Sequence, residues 1–78
     1  MPLRVVADTT FLIKALLWHG PASTCYEACR IGHARLVTSR PLLDELARVL
    51  AQPKFNSRRV GPIDEYIDDV LSVAEVAG

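Results

Sequence analysis

Residues 3–7, Leu-Arg-Val-Val-Ala, form a short β-branched run that gives way to Asp8-Thr9-Thr10, polar side chains of the kind that cap helices. The pattern predicts a strand running into a helix. From Thr9 to Trp18, Leu12, Leu16 and Leu17 recur at helical spacing, and His19-Gly20 then Pro21 close the segment. Pro21 suits the first turn of a second helix because its missing N–H has no partner there anyway. Cys25, Ala28 and Cys29 give that helix a modest apolar stripe, which stops at Gly32. Residues 34–38, Ala-Arg-Leu-Val-Thr, read as a second strand. Ser39 then caps the strongest amphipathic segment, in which Leu42, Leu43, Leu46, Val49 and Leu50 keep a helical period up to Ala51, before Pro53. Residues 52–61 read as a loop. Gly61-Pro62 opens a last helix, with Ile63, Ile67, Val70, Ala74 and Ala77 on one face and Asp64, Glu65, Asp68, Asp69 and Glu75 on the others.

The expected order is β-α-α-β-α-α, an α/β class in which parallel strands are joined by right-handed crossovers. A parallel sheet has to be covered on both faces, and two strands make an unusually small one. The pattern therefore predicts a short sheet with strands missing. An open sheet edge is a pairing hazard, so self-association into a homo-oligomer is expected.

Length and composition narrow this further. At 78 residues the chain is expected to form a single domain over 1–78, and a chain of that size buries only about 60% of its unfolded surface. Half of its residues are hydrophobic, which excludes the signature of disorder. Basic and acidic residues balance at nine each, so any nucleic-acid partner must be met by a local patch. The one dense basic cluster is Lys54, Arg58 and Arg59 in the predicted loop, a set that is either solvated surface or a site of phosphate contact. The longest apolar run, Phe11 to Trp18, is interrupted by Lys14 and falls well short of the ~20 residues of a membrane span. No secretory leader pattern is visible at the start, which predicts a cytoplasmic protein and no membrane partner. Cys25 and Cys29 are too few for a structural zinc site and read as small buried hydrophobes. His19 and His33 follow helix ends and are assigned no chemistry. Trp18 and Tyr66 read as core or partner-facing, without the interleaved basic residues of a base-stacking platform.

Candidate chemistry rests on two carboxylates. In open α/β sheets the site lies beyond the carboxyl ends of the strands, and Asp8 stands at that place on the first strand. It serves there either as a helix cap or as a metal ligand. Glu45 lies about one and a half turns into the helix that leaves the second strand, at the margin of the apolar stripe beside Leu42 and Val49. A solvated helix residue is the competing reading for Glu45. Two carboxylates aimed at one crevice suit a hard, oxygen-seeking cation such as Mg²⁺.

The blocks running from Val5 to Trp18 and from Leu36 to Leu50, with Pro53-Lys54-Phe55 after them, resemble PIN-domain proteins, in particular the subfamily of toxins from toxin–antitoxin systems. The resemblance covers nearly the whole chain and preserves the spacing of both blocks. It implies a truncated PIN-like domain and a Mg²⁺- or Mn²⁺-dependent endoribonuclease, with an RNA substrate and an antitoxin protein as partner. On that resemblance Asp8 and Glu45 correspond to the first and second acidic residues of the site, as catalytic residues and metal ligands. Thr10 stands where the family usually has an Asn, so a shorter hydroxyl replaces the amide that supports the site. The family's further acidic residues lie on segments beyond those present here. Asp64, Asp68 and Asp69 match no motif and read as a solvated helix face.

With two carboxylates in place of three or four, Mg²⁺ keeps most of its waters, which weighs against hydrolysis by an isolated chain. A homodimer pooling Asp8 and Glu45 from two chains would assemble four. The alternative is a non-catalytic remnant or interaction module that self-associates or binds an antitoxin-like partner through apolar surface.

Overall fold

The computed structural model describes residues 3–77; the expected domain limits, 1 and 78, lie outside them. Strand β1 (Leu3–Val6) leads into helix α1 (Thr9–Leu17), helix α2 (Pro21–Arg30), strand β2 (Ala34–Ser39) and helix α3 (Arg40–Leu50). A single 3₁₀ turn over Pro53–Phe55 interrupts the expected loop, and helix α4 (Ile63–Val73) runs directly into strand β3 (Ala74–Ala77).

Strand β3 corrects two expectations at once. The last helix does not continue through Ala77, and the sheet has three strands rather than two. The stretch Val70, Val73, Ala74, Ala77 fits a helical period, while Ala74 and Val76 alternate with Glu75 and Ala77 as in a strand. Locally the two are balanced. Pairing decides: residues 74–77 lie parallel to residues 36–39 of β2, whose ladder supplies hydrogen bonds that no helix extension could place beside the sheet. Helix α4 ends with the Ala74 N–H donating back to the Val70 carbonyl, and Ala74 already has extended dihedrals.

The sheet order is β1-β2-β3, all parallel. Each crossover therefore steps in the same direction, and equal handedness lays both helical connections on the same face. Burial agrees. Val5, Leu36, Thr38, Ala74 and Val76 point to one side, where Leu36 joins Leu12, Leu46, Leu50 and Val70 in a core with no exposed surface. Arg4, Val6, Arg35, Val37 and Glu75 point to the other. There Glu75 on β3 pairs with both Arg4 (3.3 Å) and Arg35 (3.5 Å), offsetting the two guanidinium groups that the β1/β2 register sets side by side. Val6 on this open face is 78% exposed. The expected covering on both sides is thus met on one.

The apolar stripe of α3 is centred on Leu43, Leu46 and Leu50, with Leu42 and Val49 half-buried at its edges. Cys29 is buried and Cys25 half-buried, both as free thiols. Asp69 departs from the expected solvated face. It accepts hydrogen bonds from the Tyr26 hydroxyl (2.7 Å) and the Arg30 guanidinium (2.8 Å), tying α4 to α2. Arg30 also reaches Glu27 (3.1 Å) and lies over the Tyr26 ring. Burial and the bond to Asp69 hold the Tyr26 phenol well above its ordinary range. Partial burial of Asp69 works toward a higher value, but the bonds from Arg30 and Tyr26 outweigh it and hold the carboxyl below its ordinary range.

A lowered folded-state value means that Asp69 stabilises the fold fully above the ordinary carboxyl value near 3.8. That stabilisation is lost as pH falls through the lowered value. Asp69→Asn is expected to cost about 1 kcal/mol at neutral pH, after allowance for solvent screening of this partly exposed pair. Urea unfolding of both proteins should show the gap closing in acid; a gap independent of pH would refute the clamp.

Candidate active site

Two helix N-termini meet at the carboxyl end of the sheet because β1 and β2 are adjacent and parallel. The Ala7 N–H still donates to the Val37 carbonyl (2.9 Å), so the ladder carries Asp8 to the rim before the chain turns into α1. Asp8 has extended dihedrals, and its Oδ1 accepts from the Phe11 N–H at 2.8 Å. Ser39 occupies the equivalent place before α3, accepting from the Leu42 N–H at 3.4 Å. The capping reading of Asp8 is therefore realised. It occupies one carboxylate oxygen and leaves the side chain exposed at the rim.

Beside this rim lies a cleft of about 600 Å³. Its floor and walls come from α1 (Thr9, Thr10, Ile13, Lys14), the α1–α2 turn (Trp18 to Ala22), α3 (Glu45, Val49) and the 3₁₀ turn (Lys54, Phe55). Helices α1 and α3 pack against each other, which brings Thr10 and Glu45 to one cavity although they stand far apart in sequence. Glu45 is exposed beside Val49, at the stripe margin where the helical period places it. Asp8 stands next to the cleft at the head of α1 and is not one of its walls. The Thr9 and Thr38 hydroxyls are buried at this end of the sheet with no hydrogen-bond partner among the described residues. Such groups cost ~1–3 kcal/mol each when left unpaired.

The basic cluster divides. Lys54 lines the cleft with its ammonium 5.2 Å from the Phe55 ring centre. Arg58 lies 4.1 Å over the Trp18 ring and reaches the Leu17 carbonyl at 3.5 Å. Arg59 turns to Asn56 at 2.6 Å. Sequence reasoning missed three cleft residues: Lys14, which only interrupted an apolar run, and the aromatic pair Trp18 and Phe55. Basic residues are not interleaved with Trp18 along the sequence, and its cationic neighbour, Arg58, comes from a distant loop. Tyr66, the other aromatic set aside, is half-buried and accepts from the Val60 N–H at 2.9 Å.

A PIN domain family model matches residues 4–78. The chain belongs to the PIN domain family. No curated protein and no solved structure matches it. PIN domains are generally nucleases that depend on a divalent metal, and the donors here suit such an ion in kind. The carboxylates of Asp8 and Glu45 and the hydroxyl of Thr10 are hard oxygen ligands. In number they fall short: among the described residues no three His, Cys, Asp or Glu side chains gather into a metal-holding group. No helix among the described residues is long and apolar enough to cross a membrane.

Capping and metal binding at Asp8 can be separated. Asp8→Ala removes the cap and is expected to cost about 1 kcal/mol, or about 5 °C in Tm for a chain of this size. Asp8→Asn retains a capping oxygen and should unfold within a few tenths of a kcal/mol of the parent. Equal losses in thermal unfolding would show that the cap contributes nothing to α1.

Proposed function

We propose that this PIN domain is a Mg²⁺- or Mn²⁺-dependent endoribonuclease of the toxin–antitoxin type, acting in the cytoplasm on single-stranded RNA. The observation that supports this reading is that Thr10 and Glu45 line one cleft with Asp8 at the head of α1 next to it, at the carboxyl end of β1. Asp8 and Glu45 would hold the cation and Thr10 would orient them with its hydroxyl. Asp8 can do so while capping α1, because its second oxygen makes no bond within the protein among the described contacts. When bound, such an ion offsets charge on the phosphate and makes its own water a better nucleophile at neutral pH. Lys54, which lines the cleft, and Arg58, stacked on the Trp18 ring that lines it, would supply positive charge for the RNA backbone. Arg59, held by Asn56, is the weaker of the proposed contacts.

Cleavage of single-stranded RNA should require Mg²⁺ or Mn²⁺, stop in EDTA, and fall by at least about a hundredfold in Asp8→Asn and in Glu45→Gln. Circular dichroism of both variants checks that the fold is intact. Cleavage that survives either substitution would place the chemistry elsewhere.

A second reading, a non-catalytic module that binds an antitoxin-like partner or a further copy of itself, draws on the shortage of acids at the site. The two readings meet in one arrangement, in which a second chain contributes its own Asp8 and Glu45. The open face of the sheet, with Val6 and Val37 between Arg4, Arg35 and Glu75, lies on the side away from Glu45 and gives a separate contact between copies an apolar centre and a charged rim. Light scattering across the micromolar range is expected to give twice the monomer mass. A monomer throughout would remove the pooled site.

A further inference from the structure

The cleft that Glu45 lines is also aromatic and cationic. Trp18 and Phe55 meet edge to face, with ring centres 6.1 Å apart and planes at 90°, so together they form a corner with two perpendicular apolar faces. Trp18 is 37% exposed although it lines the cleft. Arg58 covers part of that ring at 4.1 Å, and the Leu17 carbonyl fixes its guanidinium there. Lys14 and Lys54 line the same cleft, and Glu45 is its sole acidic wall residue among those described. In a chain of zero net charge this local excess of cations beside open aromatic surface is not a compositional accident to be expected everywhere.

We infer that the Trp18–Phe55 corner is a base-binding subsite for single-stranded nucleic acid, in which one base stacks on the aromatic wall while Lys14 and Lys54 contact the flanking phosphates. The inference rests on the nuclease reading for its ligand class and adds to it the residues that seat the strand beside Glu45. Base stacking on an aromatic side chain tolerates every base, because each has a π-face, so the subsite grips the strand without selecting its sequence. A purely apolar peptide would use the aromatic wall and leave Lys14 and Lys54 without an anionic partner. A polyanion with flat aromatic groups uses both.

Trp18 is the only tryptophan, so its fluorescence reports on the subsite directly. The full chain is titrated in EDTA, where no cleavage occurs, with a short oligouridylate, with an abasic oligonucleotide of the same length, and with an acidic peptide. The oligouridylate is expected to quench Trp18. Phe55→Leu should weaken that binding about tenfold, with Phe55→Tyr restoring it, and Lys54→Ala should lower the salt slope by about one. Quenching by the abasic strand with equal affinity would reduce the subsite to electrostatics and overturn the inference. So would quenching by the peptide alone, or no response to any ligand. Binding without cleavage in the metal assay leaves the subsite standing and removes the nuclease reading; cleavage without quenching does the reverse.

Discussion

Parallel pairing of three strands in chain order is the constraint on which the rest of the molecule depends. Because β1, β2 and β3 succeed one another across the sheet, both crossovers step the same way and all four helices stack on one side. Leu36 at the middle of β2 then becomes the point against which Leu12, Leu46, Leu50 and Val70 close the core. Each of these side chains is removed from water entirely, and together they supply the main apolar burial available to so short a chain.

The same arrangement places the site. Adjacent parallel strands deliver their carboxyl ends to one rim, so the capping residues Asp8 and Ser39 stand side by side at the heads of α1 and α3. The cleft fills the space between α1, α3 and the turn that starts α2. Asp8 illustrates how structure and chemistry share a residue: one oxygen closes the first turn of α1, and the other makes no hydrogen bond among the described residues. A single side chain thus couples the stability of α1 to the candidate chemistry, which is why the Asn variant is more informative than Ala.

Away from the site, two ion networks offset what this architecture leaves exposed. Asp69 gathers Tyr26 and Arg30 and fastens α4 to α2. Glu75 draws Arg4 and Arg35 together across three strands on the open sheet face. Exposed pairs of this kind contribute little energy each, but they disfavour non-specific edge and face contacts by surrounding Val6 and Val37 with charge.

Much of this was legible in the linear pattern, because it depends on neighbours in the chain. The β-branched run before Asp8, the caps at Asp8 and Ser39, Pro21 in a first turn and the leucine period of α3 are local signals, and each element formed where they placed it. The position of Glu45 at the margin of that leucine stripe was likewise a matter of helical period. Tertiary structure alone decided what local preference left balanced or could not encode. Residues 74–77 became a strand because β2 offered a hydrogen-bonding edge, against a sequence equally able to extend α4. Asp69 became a clamp because folding brings it to Tyr26 and Arg30 from across the chain. Trp18, Phe55 and Arg58 became one wall because α1 and the loop after α3 pack together. A side chain's partners across the fold leave no periodic trace in sequence, and it is these partners that set Glu45 and Thr10 in one cleft with Asp8 next to it.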